Sequence, residues 1–182
     1  MSEESPHQPL GGLPVAAAPK WTNPNVGMLA LIAATYQQYG DGSIAVLRAG
    51  MRKLGRRTGQ YMLETHLVPA GCTPTIWGRF THQLMELTGF YTYEEVEASD
   101  NIYCFRVPSN AMPYHEPIAY LGAPPDACDI LADWDRGCLE TINPRICMTQ
   151  PLCSVRGDEY CFWRYELLPS EAPTGISADL QL

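Results

Sequence analysis

The chain has 182 residues and a formal net charge of −8. That length suits one domain able to bury roughly two thirds of its unfolded surface without disulfides, and the acidity argues against a nucleic-acid partner, since phosphate neutralisation needs clustered Lys and Arg. Seven cysteines occur with no C-x-x-C pair or zinc-finger spacing, and no apolar signal sequence or bilayer-length apolar run is visible, so reduced buried thiols, a cytoplasmic setting and no membrane association are expected.

Residues 1–20, rich in Pro, Ala and Gly without periodicity, read as a flexible arm, and residues 169–182 as a flexible tail. The folded domain is then 21–168. Asn23-Pro24 reads as a helix cap with proline at the first helical position. Val26, Leu29, Ala30, Ala33 and Tyr36 recur at helical spacing up to Gly40. Ser43 is placed to cap a second helix striped by Ile44, Leu47, Met51, Leu54 and Met62. Gly50, Gly55 and Gly59 weaken it by about 1 kcal/mol each relative to alanine; they imply close approach of another helix or of a ligand. The basic run Arg52–Arg57 reads as a solvated face. A third helix opens at Thr73-Pro74 and ends at Gly89, with Ile76, Phe80, Leu84 and Leu87 as its buried stripe and His82 at the surface or rim.

The period then changes to two. Tyr91–Glu97 and Ile102–Val107 read as a hairpin, with Tyr103, Phe105 and Val107 on one face and Cys104 and Arg106 on the other. A short helical or irregular stretch, interrupted by Pro113 and Pro117, follows. Asp126 caps a stronger helix with Asp129 in its first turn. On that helix Asp133 and Asp135 diverge by about 160°, so a solvated position is expected for at least one, and an ion pair to Arg136 or Arg145 for Asp135 otherwise. Arg145–Val155 reads as a strand with an edge or bulge at Pro151. Gly157-Asp158 turns into Tyr160–Leu168, where Cys161, Trp163, Tyr165 and Leu167 share the face read as lining a pocket. The order is that of an α+β fold: N-terminal helices packed on an antiparallel β-sheet built from two hairpins separated by a helix.

The stretches "YLGAPP", "ILADWDRG" and "INPRICMTQPLCSVRGDEYCFWRYEL", within Ile102–Leu167, resemble the L-2-amino-thiazoline-4-carboxylic acid hydrolase-like family. The last turn and strand are also similar to 4-vinyl reductase-type small-molecule-binding domains. The first resemblance implies opening of a carbon–nitrogen bond in a small heterocycle, in a pocket between helices and sheet, and carries over Asp135, Gly157, Asp158 and Cys161. The chain departs from that pattern where it has Ala132 and Ser109 or Asn110 in place of cysteines, and Gln150 in place of an arginine.

The expected chemistry is acid–base catalysis by His115 and Asp135, with Cys104 as an outside nucleophile activated by Arg106. Trp77, Phe80, Tyr103, Phe105, Trp134, Gln150, Cys161 and Trp163 are the expected substrate-binding residues. No cofactor or metal is implied: there is no Gly-rich phosphate loop, G-x-S-x-G elbow or His-rich motif. The leading expectation is a biosynthetic hydrolase or cyclase for a small-molecule substrate, with homodimerisation through an edge strand or the long helices. The competing expectation is a non-catalytic sensor or carrier domain of the 4-vinyl reductase type.

Overall fold

A computed structural model describes residues 24–87 and 93–169. The expected arm 1–20, nearly all of the expected tail, and Asn23, Gly89 and Tyr91 lie outside the described residues. The elements run α1 (Pro24–Tyr39), α2 (Gly42–Glu64), α3 (Pro74–Leu87), β1 (Glu94–Ala98), β2 (Ile102–Pro108), α4 (His115–Leu121), α5 (Ala127–Ile142), β3 (Ile146–Leu152) and β4 (Tyr160–Leu167). The four strands form one antiparallel sheet in the order β1-β2-β4-β3. The fold is thus α+β, with N-terminal helices followed by two antiparallel hairpins separated by α4 and α5.

The sheet's inner face follows the alternation of β2. Tyr103, Phe105 and Val107 are buried and join Tyr165 and Cys161 of β4 in the main core. The strand expected over Arg145–Val155 stops at Leu152 and gives way to a 3₁₀ turn, Ser154–Arg156. Its register slips between Thr149 and Leu152, so Pro151, which has no N–H to give a ladder, sits at an irregularity of an edge strand. The opposite edge, β1, is exposed along its whole length and carries Glu94, Glu95 and Glu97. Gly157 takes φ +100°, a left-handed turn open to glycine, and Asp158 folds back to accept the Cys153 N–H at 2.7 Å.

The most extensive helix contact among the described residues is α2 against α5, and glycine makes it. A Cβ on Gly55 would lie 2.0 Å from the Trp134 carbonyl oxygen, and one on Gly137 would lie 2.2 Å from that of Arg52. Close helix packing, not a ligand, accounts for Gly55 and Gly59. Ion pairs line the same seam. Arg48 and Arg52 reach the fully buried Asp133 at 2.7 and 2.8 Å, and Arg56 reaches Glu140 at 2.8 Å. Arg52 and Arg56 of the basic run therefore zip α2 to α5, in place of the solvated face expected; Lys53 and Arg57 stay exposed. Ser43 does not cap α2, since its hydroxyl donates to the Gly40 carbonyl.

The expected packing face of α3 is rotated. Ile76 and Leu87 are exposed, whereas Pro74, Trp77, Gly78, Thr81 and His82 are buried. The reason is Tyr103: a Cβ on Gly78 would lie 2.0 Å from its ring, so the ring packs directly against the helix at that glycine. Its hydroxyl then reaches His82 Nδ1 at 2.9 Å. His82 is 1 % exposed, a correction to its expected surface position. Burial pushes its pKa down to about 4, and its Nε2 has no hydrogen-bond partner among the described residues.

Candidate functional site

Between the helices and the sheet lies a cavity of about 550 Å³. Aliphatic and thioether groups dominate its wall, with Met28, Met51, Met85 and Met112 drawn from separate parts of the chain. Trp134 and Trp163 supply aromatic surface, and Trp163 is held by stacking on Phe105 at 5.0 Å. Leu54 and Leu87 are its exposed lining residues. Its polar groups are Asn25, Thr81, Tyr114, Asp135 and the Cys128 thiol.

Among the described residues, Asp135 is the one ionisable carboxyl in that wall. Trp77 Nε1–H donates to Oδ1 at 2.9 Å and the Tyr165 hydroxyl to Oδ2 at 2.7 Å. Burial pushes its pKa from 3.8 up to about 6, against the two hydrogen bonds and the Arg136 charge, which act to lower it. The expected ion pair is absent: Arg136 is engaged by Asp129 and Asp133, and Arg145 by the Leu168 carbonyl. Of Asp133 and Asp135, Asp133 is fully buried in the α2–α5 seam and Asp135 is half-buried at the cavity wall.

His115, at the start of α4, lies elsewhere. It lines a separate depression of about 380 Å³ with Ser154, and its Nε2 lies 2.7 Å from the Ser154 hydroxyl. The two hollows share no lining residue, so His115 and Asp135 do not face one space. Cys104 is buried on the outer face of the sheet, cross-strand from Arg164 and Glu97. Burial raises its thiol pKa, and Arg106, expected to activate it, pairs with Glu94 at 2.7 Å. The three expected catalytic groups therefore do not converge.

Of the expected binding residues, Trp134 and Trp163 line the cavity. Trp77 stands behind Asp135 as its donor. Phe80 packs against Trp77 at 5.9 Å, and Tyr103 and Phe105 are core. Gln150 is buried with neither amide atom paired among the described residues. Cys161 is fully buried and accepts the Ser154 N–H at 3.2 Å; of its pocket-reading face, only Trp163 meets the cavity. The sequence reading missed the methionines, Thr81 and Cys128, which come together only through tertiary packing.

Among the described residues, no group of three or more His, Cys, Asp or Glu is arranged to hold a metal ion, and no helix is long and apolar enough to cross a membrane. No protein-family profile and no curated protein matches this chain. Among solved structures it is similar to a trafficking protein particle complex subunit 3 from Naegleria fowleri covalently bound to palmitic acid. That protein is 17% identical, with 80% of this chain and 96% of that one covered and a TM-score of 0.41. A likeness so distant does not bear on function.

Proposed function

We propose that this protein is a small-molecule-binding domain. Its ligand is a largely apolar, polarisable molecule, aromatic or polycyclic, that carries one cationic or N–H donor group for Asp135. The observation that carries this reading is one half-buried carboxyl, the only one lining the cavity among the described residues and already holding two donors, in a wall built largely of thioether, aliphatic and aromatic surface. The volume falls within the roughly 300–1,000 Å³ of drug-sized sites. Methionine side chains adapt to irregular ligands and make favourable sulfur–aromatic contacts. An anionic ligand would set a second negative charge beside Asp135 in a low-dielectric space, which is strongly unfavourable.

The test is a titration of intrinsic tryptophan fluorescence, since Trp134 and Trp163 report on the cavity. At pH 7.5, 1-naphthylmethylamine should bind at least about tenfold more tightly than 1-naphthoate, about 1.4 kcal/mol or more. Asp135→Asn should abolish that preference. Equal affinities for amine and carboxylate, or no spectral change with either, would reject the reading.

A second reading, acid–base catalysis on a carbon–nitrogen bond, is favoured by one observation. A carboxyl with a pKa of about 6 both gives and takes a proton readily near neutrality. In that reading Asp135 acts alone at the bond, with His115 outside the cavity. Incubation with L-2-amino-thiazoline-4-carboxylate, followed by chromatography, checks it: turnover lost in Asp135→Asn supports catalysis, and an unchanged substrate leaves binding as the function.

A further inference from the structure

The second hollow, of about 380 Å³, is built around a serine and a histidine. Ser154 follows the end of β3 and opens the 3₁₀ turn Ser154–Arg156. That turn is braced at both ends. The Cys153 N–H donates to Asp158 at 2.7 Å, the Cys153 carbonyl accepts the Arg156 N–H at 2.8 Å, and the Ser154 carbonyl accepts the Gly157 N–H at 3.1 Å. His115 comes from the start of α4, a helix tied to α1 by the Gln37 side-chain amide, which donates to the Leu121 carbonyl at 2.7 Å. Its Nε2 lies 2.7 Å from the Ser154 hydroxyl oxygen. A second group meets that oxygen: the sulfur of the fully buried Cys161, at 3.0 Å. The same sulfur accepts the Ser154 N–H at 3.2 Å. The Cys161 S–H then has Ser154 Oγ as its acceptor, and the serine O–H is left to donate to His115 Nε2.

We propose that Ser154 and His115 form a nucleophile–base pair that hydrolyses a small, uncharged ester. A serine hydroxyl is a weak nucleophile until a base at about 2.6–3.2 Å takes its proton, and His115 Nε2 at 2.7 Å meets that condition. The hollow sets the substrate class. Ile118, Ala119, Ala123 and Val155 give it short aliphatic surface, and none of its described lining residues is an Asp, Glu, Lys or Arg. It therefore offers no partner to a charged group and suits a short acyl chain. Ala119 and Gly122 of its lining are exposed, so water reaches it. Ser154 Oγ attacks the ester carbonyl carbon as its proton passes to His115 Nε2. The tetrahedral intermediate collapses, the carbon–oxygen bond to the alcohol breaks, and the alcohol leaves with the proton from His115. Water then gives a proton to His115 and attacks the acyl carbon. Ser154 departs as the hydroxyl, taking that proton back. The sum is ester and water to carboxylic acid and alcohol, with no change of oxidation state.

The hollow shares no lining residue with the Asp135 cavity, so the pair stands or falls separately from the ligand bound there. The experiment incubates the full chain with diisopropyl fluorophosphate and maps the adduct by mass spectrometry. Hydrolysis of p-nitrophenyl acetate, followed by release of p-nitrophenolate, reads turnover. The expected result in the wild type is a phosphoryl adduct on Ser154, formed with loss of fluoride, and repeated release of p-nitrophenolate. Ser154→Ala should lose both. His115→Gln keeps a hydrogen-bonding side chain beside Ser154 but no base. It should melt near the wild-type temperature while labelling and release fall at least about a hundredfold. A contact that only tethers α4 to the turn would leave Ser154 unreactive. The proposal is overturned if Ser154 stays unlabelled in the wild type, if release is no faster than in Ser154→Ala, or if His115→Gln labels at the wild-type rate.

Discussion

Asp133 and Asp135 stand two residues apart on α5 and live in opposite surroundings. Asp133 faces α2 and is gripped by three arginines, Arg48, Arg52 and Arg136. Asp135 faces the sheet and the cavity and is held by two neutral donors, Trp77 and Tyr165. One face of the helix is closed by backbone contact and charge, with no room for a methyl group at Gly55. The other is held away from its neighbours by a hollow. The difference teaches that one rigid seam anchors the helix that presents a weakly compensated carboxyl to the cavity.

The largest way to break this contrast is to empty the seam of its charge. Asp133→Ala leaves three guanidinium groups around a vacated carboxylate site, and removing one partner of a buried pair costs about 3–5 kcal/mol. The low end is expected, because Arg48, Arg52 and Arg136 keep Asp129 or Glu140 as partners. Urea denaturation measures it.

The next effect sharpens the contrast through pH. Asp135 has its pKa raised in the folded state, so folding takes up a proton between about 4 and 6, and its contribution to stability falls as pH rises through that window. His82, lowered from 6.5 to about 4 by burial, does the reverse: its contribution is lost as pH falls through nearly the same range. Each shift corresponds to about 3 kcal/mol, so the two oppose one another in the wild type. Asp135→Asn should unmask His82, giving a melting temperature that climbs with pH between 4 and 6.5. A profile parallel to that of the wild type would show that Asp135 is not so perturbed.

Two alanine substitutions on one helix should then give opposite signs. Gly55→Ala gains about 1 kcal/mol of helix propensity, but its methyl meets a backbone carbonyl that cannot swing aside, and overpacking costs about 1–3 kcal/mol. A net loss of up to about 2 kcal/mol is expected. Gly50 is exposed and has nothing within 4 Å of its missing Cβ, so Gly50→Ala should stabilise by about 0.5–1 kcal/mol. Thermal melts of the pair decide it, and a loss at both positions would deny the seam its special closeness.

Local signals carried the fold. The proline starts, the glycine stops and the switch from helical to alternating period at β1 were enough to order helices and hairpins. The face of α3 was not legible. Counting apolar positions favoured Ile76 and Leu87 and put His82 at the surface or rim, while the decisive partner, Tyr103, comes from β2. The site fared similarly. Trp134, Asp135 and Trp163 were recognisable as chemistry-bearing residues, but what separates Asp133 from Asp135 is supplied by arginines and aromatics 30 or more residues away, Arg136 excepted. His115 looked well placed because its neighbours in sequence are polar and rigid; only the packing of α4 against Ser154 turns it to another hollow.

The two borders of the sheet carry a last consequence. Along β1, a second molecule adding itself as a fifth strand would have to strip water from a row of glutamates, Glu94 and Glu95 already neutralised by Arg106 and Arg79 and Glu97 left exposed. Along β3, it would meet Pro151 where a donor should be, at a kink in the ladder. Both borders discourage templated stacking. Concentrated preparations should therefore stay free of fibrils.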